Sequence, residues 1–247
     1  INFTALEKIK SNIKLYSPNT DLIIVTKKQS VEDVLSLMNN DYAIFAENKV
    51  QEASQKYKDL RKIKKFKLHM IGPLQSNKVE SALQIFDTIQ SIDRVKLVET
   101  IIKYQTHNKD KIRTQNFFIQ INIGDENQKF GIQKNEFKDF YFYCKEHIPI
   151  EGLMCIPPLG QDPKIFFDLL VSLKNKVNPK LKLSMWSINQ LEHINKNNGP
   201  IIEWEEFAEL PETPYMENIK NREKMIKASN FLWTPADKYF DKLYNKD

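Results

Sequence analysis

Seven short apolar runs recur along the chain, with starts about 20 to 35 residues apart. They are LIIVT (22–26), YAIFA (42–46), FKLHMIG (66–72), TIQSI (88–92), FFIQINI (117–123), IEGLMCI (150–156) and LKLSMW (181–186). Each is too short for a helix. Most are rich in β-branched and aromatic residues, the mark of a strand buried on both faces. Between them lie stretches with apolar residues at helical spacing. VEDVLSLM (31–38) puts Val31, Val34, Leu35 and Met38 on one face, and VQEASQKYKDL, VESALQIF, RVKLVETIIKY, NEFKDFYFYCKEH and KIFFDLLVSLKNKV follow the same rule. Strands alternating with helices build βαβ units on a parallel sheet. Seven such units exceed most open doubly wound sheets. The six glycines form neither a GxGxxG nor a phosphate-binding loop. The expected fold is therefore α/β, a (β/α)8 TIM barrel, and 247 residues suit it.

The bulk numbers bound the partners. No apolar run approaches the roughly 18 to 20 residues a bilayer span requires, and no signal-peptide pattern opens the chain. Two cysteines, Cys144 and Cys155, form no CxxC and no disulfide framework. A reducing cytoplasm is the expected compartment. His69, His107, His147 and His193 lack ligand spacing, so no metal site is expected. The net charge of +5 comes from lysines spread among nearly as many acids, and arginine occurs only four times. The densest basic run, RKIKKFK (61–67), reads as a helix end entering a strand. Neither a nucleic-acid nor a membrane partner is expected.

In a (β/α)8 barrel the chemistry collects at the C-terminal ends of the strands. The first strand ends in Thr26, Lys27 and Lys28. Two readings stand: a strand surfacing into solvent, or a lysine at the barrel mouth that does chemistry there. Other strand ends are polar too. The second closes on Glu47 and Asn48. The third carries His69 and leads to Gln75, Ser76, Asn77 and Lys78. The fifth delivers Asn122 and then Lys129. Loop polarity explains the later residues. It explains His69 and Asn122 less well, because a polar group inside an apolar strand needs a partner.

FAENKVQEA (45–53), HMIGPLQSNK (69–78), SIDR (91–94), ENQKFG (126–131) and GLMCIPP (152–158) follow VTK in order. This set resembles the pyridoxal phosphate homeostasis protein family, single barrels related to the N-terminal domain of alanine racemase. The likeness runs over about residues 4 to 187. It implies a barrel of the alanine racemase N-terminal type that binds pyridoxal 5′-phosphate (PLP) as a Schiff base on Lys27. It implies a role in vitamin B6 homeostasis rather than catalysis, with PLP-dependent client enzymes as partners and the monomer as the working state. Asn48 matches the family's asparagine beside the cofactor, His69 and Met154 match residues lining the mouth, and Asn122 falls near it. Lys28 and Lys129 would add positive charge, which together with burial lowers a lysine pKa and favours the nucleophilic amine.

The sequence departs from that family in two places. The pattern S-K-x-K-P after the first strand becomes Thr26-Lys27-Lys28-Gln29-Ser30. More seriously, the family binds phosphate with S-M-G-M-S at strand seven and R-x-G at strand eight. Here strand seven reads LSMWS, no glycine lies between Gly160 and Gly199, and the only arginine after Arg113 is Arg222. Ser187, with Ser184, is the remaining phosphate-ligand candidate. The expected division is a PLP-binding barrel at 1–198 and a divergent segment at 199–247 that supplies or replaces barrel closure, so the last βα unit is atypical. IIEW (201–204) is the candidate eighth strand. Two alternatives stay open: a scaffold barrel that has lost phosphate binding, and a weak PLP-dependent amino-acid racemase.

Overall fold

A strand that is apolar on both faces has to find cover on both. The computed structural model describes residues 1–17, 19–126, 128–158 and 161–185, with the backbone of 201–204. Strands β1 (Leu22–Val25), β2 (Ile44–Glu47), β3 (Lys67–Met70), β4 (Thr88–Ile92), β5 (Asn116–Ile121), β6 (Ile150–Cys155), β7 (Lys182–Met185) and β8 (Ile201–Trp204) pair in sequence order into a closed parallel barrel. IIEW pairs with β7 on one side and β1 on the other. Residues 201–204 thus form the closing strand.

Helices α1 (Phe3–Tyr16), α2 (Val31–Asn39), α3 (Val50–Tyr57), α4 (Leu60–Ile63), α5 (Val79–Ile85), α6 (Val95–His107), α7 (Phe137–His147) and α8 (Pro163–Val177) cover the outside. Their starts follow local rules. Ser30 and Asp33 form a reciprocal capping box at α2. Asp162 caps α8, with proline in its first turn. The run RKIKKFK is indeed a short helix leading into β3, and its Arg61 is turned inward. Arg61 binds the Asp87 carboxylate at 2.7 Å, and that carboxylate also accepts the Leu68 N–H, tying α4 to the starts of β3 and β4. Helix α1 is absent from the sequence reading. Its buried positions Leu6, Ile9 and Ile13 keep helical spacing but are diluted by lysines.

Period-two alternation sorts the strand residues into two cores. The larger lies between sheet and helices and contains Ile24, Phe45, Leu68, Met70 and Ile119. The smaller fills the barrel: Ile23, Val25, Ala46, Ile71, Phe118 and Met154. Gly152 on β6 makes room for Phe118. A Cβ there would lie 2.3 Å from the Phe118 ring and 2.5 Å from the Lys182 carbonyl oxygen. Gly152→Ala is expected to destabilise the barrel by about 1–3 kcal/mol through overpacking, seen as a lower urea midpoint at unchanged slope. Adding Phe118→Leu should not restore it, because the backbone carbonyl remains in the way.

Candidate functional site

Because all strands are parallel, their C-terminal ends share one rim. On β1, Ile23 and Val25 face the interior, whereas Thr26 faces outward into the α3 layer. By alternation the next inward position would be Lys27, which lies half-buried in the turn that follows β1. The same count on the other strands puts Asn48, Ile71, Asn122 and Ile156 in the top tier. These four line a cleft of about 240 Å³ at the mouth, together with Gly72, Gln120, Lys129 and Phe130. Gly72 has no room for a side chain, since a Cβ would sit 2.2 Å from the Asn48 carbonyl oxygen.

One wall of the cleft is the loop holding ENQKFG. Asn122 fixes its start: its amide donates to the Glu126 carbonyl at 2.9 Å, and its side-chain oxygen accepts the Glu126 N–H at 3.1 Å. The loop then returns to β5, where Ile132 N–H donates to Gln120 at 2.8 Å and Asn122 N–H donates to Ile132 at 3.0 Å. Gly131 makes that return with φ +120°, and a Cβ on it would lie 2.4 Å from the Asn122 nitrogen. The Gly131 N–H is taken by Asp93 of SIDR, while Arg94 pairs with Asp93 and donates to the Leu74 carbonyl at 2.7 Å. Lys129 pairs with Glu126 at 2.6 Å and donates to the Pro157 carbonyl at 3.1 Å. Four of the sequence motifs thus meet in one loop-holding network.

Beneath the rim lies a second tier with Val25, Ala46, His69, Gln120, Met154 and Ser184, so Met154 and His69 form floor rather than rim. A polar chain crosses this floor. Ser184 Oγ donates to Gln90 Oε1 at 2.6 Å, and Gln90 Nε2 lies 2.9 Å from His69 Nδ1. With its oxygen occupied by serine, Gln90 donates through nitrogen, so His69 accepts at Nδ1 and carries its proton on Nε2. That Nε2 is buried and has no partner among the described residues, and Gln120 Oε1 is in the same state. Burial pushes the His69 pKa down to about 4. Gln90 and Gln120 escaped the sequence reading, although each is a polar residue inside an apolar strand, the signal that singled out His69. Ser184 is fully buried and bound to Gln90, while Ser187 lies outside the described residues.

Among the described residues no group of three or more His, Cys, Asp or Glu converges on a possible metal site. No described helix is long and apolar enough to cross a membrane.

Comparison with known proteins now bears on this mouth. The chain is similar to the pyridoxal phosphate homeostasis proteins. It is 37% identical over 144 residues to the one from Pasteurella multocida, covering 57% of this chain and 60% of that protein. It is 34% identical over 158 residues to the one from Haemophilus influenzae, covering 61% and 65%. The chain thus matches less than two thirds of the length of these relatives. No family model matches the sequence. Among solved structures, PipY of Synechococcus elongatus with PLP bound superposes at TM-score 0.66 and 24% identity, covering 80% of this chain and 96% of PipY. Alanine racemase from Acinetobacter baumannii superposes at TM-score 0.62 and 15% identity, covering 81% of this chain and 59% of the racemase. The fold is the alanine racemase-type barrel.

The floor makes stability pH-dependent. An unfolded histidine protonates near pH 6.5, whereas buried His69 resists until about 4. As pH falls between these values the unfolded chain gains a proton that the folded chain refuses, so stability drops, by on the order of 3 kcal/mol in total. The contribution is flat above the upper value and below the lower one. Urea unfolding of cofactor-free protein should show this loss, and His69→Gln should lack it. Equal pH slopes in the two proteins would contradict the assignment.

Proposed function

We propose that this chain binds pyridoxal 5′-phosphate at the barrel mouth through the Lys27 amine and serves vitamin B6 homeostasis. The single observation that supports the reading is the place of Lys27 in the turn directly after β1, at the end of the barrel where Asn48 lines the cleft. The curated relatives bear the homeostasis name, and PipY has been solved with PLP bound.

The mouth fits such a ligand. A volume of about 240 Å³ lies below the roughly 300–1,000 Å³ typical of drug-sized ligands and suits a single substituted ring. Its wall mixes apolar surface from Ile71, Phe130 and Ile156 with polar groups of Asn48 and Gln120. Two of the buried polar atoms without a partner among the described residues, His69 Nε2 and Gln120 Oε1, belong to the tier beneath. Bound PLP supplies a reactive aldehyde. The Lys27 amine would be the group that holds PLP through that aldehyde, with release of one water. Asn48 would orient the ring, His69 and Met154 would form the surface beneath it, and Asn122 and Lys129 would hold the loop that closes one side. The phosphate would lie toward the β7–β8 side, where Ser184 and Ser187 stand in the sequence. The homeostasis name of the relatives supports holding and handing on the cofactor to client enzymes rather than turning over a substrate. Two buried cysteines outside any disulfide suit a reducing cytoplasm.

A specific observation favours a second reading: the sequence lacks the glycine and arginine pattern expected of the phosphate site. A barrel without that nest of amides would bind phosphate weakly or act as a scaffold. Incubation with PLP followed by borohydride decides between them. The expected product is a pyridoxyl adduct mapped to Lys27 by mass spectrometry and lost in Lys27→Ala. Absence of an adduct in the unsubstituted chain, or its persistence in the variant, would reject the proposal.

A further inference from the structure

The back of the β1–β2 edge carries a polar cluster that the cofactor site does not use. Lys56 of α3 is only 7% exposed along its side chain. Its Nζ donates to the Thr26 carbonyl at 2.6 Å, to Glu47 at 2.8 Å and to Glu52 at 3.0 Å. Glu47 is fully buried, and burial pushes its pKa up against the pull of Lys56. Thr26 Oγ1 donates to Glu47 at 2.9 Å and lies 2.5 Å from the Tyr57 hydroxyl. Glu52 also accepts the backbone N–H of Lys28 at 2.6 Å. Lys28 has φ 63°, a left-handed conformation that a lysine adopts only when its surroundings impose it. Gln29 N–H closes the turn onto the Thr26 carbonyl at 3.1 Å.

These contacts converge on the residues either side of Lys27. Lys56 holds the carbonyl before it and Glu52 holds the N–H after it, while Lys56 and Glu52 bind each other. A buried ion cluster is a costly way to gain stability, since desolvation offsets much of the attraction. It is an effective way to fix a short backbone segment in a strained geometry. We infer that Glu52 and Lys56 are positioning residues: they clamp the Thr26–Lys28 turn from behind and so hold the Lys27 amine toward the barrel mouth. The inference rests on the role proposed for Lys27 and adds the device that aims it. A loop lysine without such a clamp would sample many rotamers, and capture would pay the entropy of selecting one.

Glu52 allows a clean test because its side chain is 28% exposed, so the fold tolerates its removal. Glu52→Ala deletes the acceptor, whereas Glu52→Gln keeps an oxygen that can take both the Lys28 N–H and the Lys56 ammonium. Trace acetic anhydride labelling of cofactor-free protein reads the presentation of Lys27 against Lys138 on the distant helix α7. In Glu52→Ala the turn loosens, the half-buried amine meets solvent more often, and Lys27 labelling relative to Lys138 should rise several-fold. Glu52→Gln should return it to the original value. PLP capture followed by borohydride should move the opposite way, slowing about tenfold in Glu52→Ala, the worth of one hydrogen bond to a charged group. Unchanged Lys27 labelling in Glu52→Ala, or a change that Glu52→Gln fails to reverse, overturns the clamp. If labelling behaves as expected but the unsubstituted chain captures no PLP, the clamp stands and the proposed function fails.

Discussion

Closure of a parallel sheet on itself is the constraint from which the rest follows. Every strand runs the same way, so every strand delivers its last residues to one rim. Inward and outward positions alternate along each strand, so each strand end has to divide its polar residues between mouth and helical layer. The β1 and β2 ends show the division. Thr26 and Glu47 turn outward to Lys56 and Tyr57, while Asn48 lines the mouth and Lys27 sits in the turn that follows β1. A shift of one residue would turn Asn48 to the outer layer and expose the ion cluster to the barrel interior. The motif FAENKVQEA therefore serves two sides of one edge: its asparagine belongs to the mouth, and its two glutamates belong to the support behind it.

The mouth is built on two tiers with different physics. The rim is half-open and flanked by a loop tied back at Asn122, Asp93 and Pro157. The floor is buried and joined side to side by Ser184, Gln90 and His69. A neutral imidazole in that floor presents an N–H donor without adding charge beneath the site. Burial rather than a nearby cation keeps it neutral, because desolvation is the largest influence on its pKa. Rigid polar floors of this kind hold a ligand's orientation at little entropic cost, since their members are already fixed.

The barrel was legible in the sequence because strands covered on both faces leave uninterrupted apolar runs, and the seven runs named from the sequence all became strands. IIEW was legible as an eighth by length and composition, and its pairing with β1 and β7 closes the ring. Helix α1 was harder to see, because lysines interrupt its apolar stripe. At the barrel's C-terminal end, the places of Lys27 after β1, Asn48 after β2 and His69 within β3 were legible through motif and strand position. Their division into rim and floor was not, because it depends on how strands stagger around the barrel. Gln90 was missed because its strand, TIQSI, carries two neighbouring polar residues, and only the three-dimensional register separates Gln90, facing His69, from Ser91. The clamp was invisible for a different reason. Its members lie in β1, β2 and α3, and nothing in sequence spacing says that Lys56 reaches back to the Thr26 carbonyl.

The proposed function depends on where the Lys27 amine goes. A crystal structure of the chain with PLP is the most direct test. The account predicts continuous density from Lys27 Nζ to the aldehyde carbon of PLP inside the mouth, with the ring beside Asn48 and above His69. Density for the ligand elsewhere, or a Lys27 amine on the outer wall of the barrel, would contradict it.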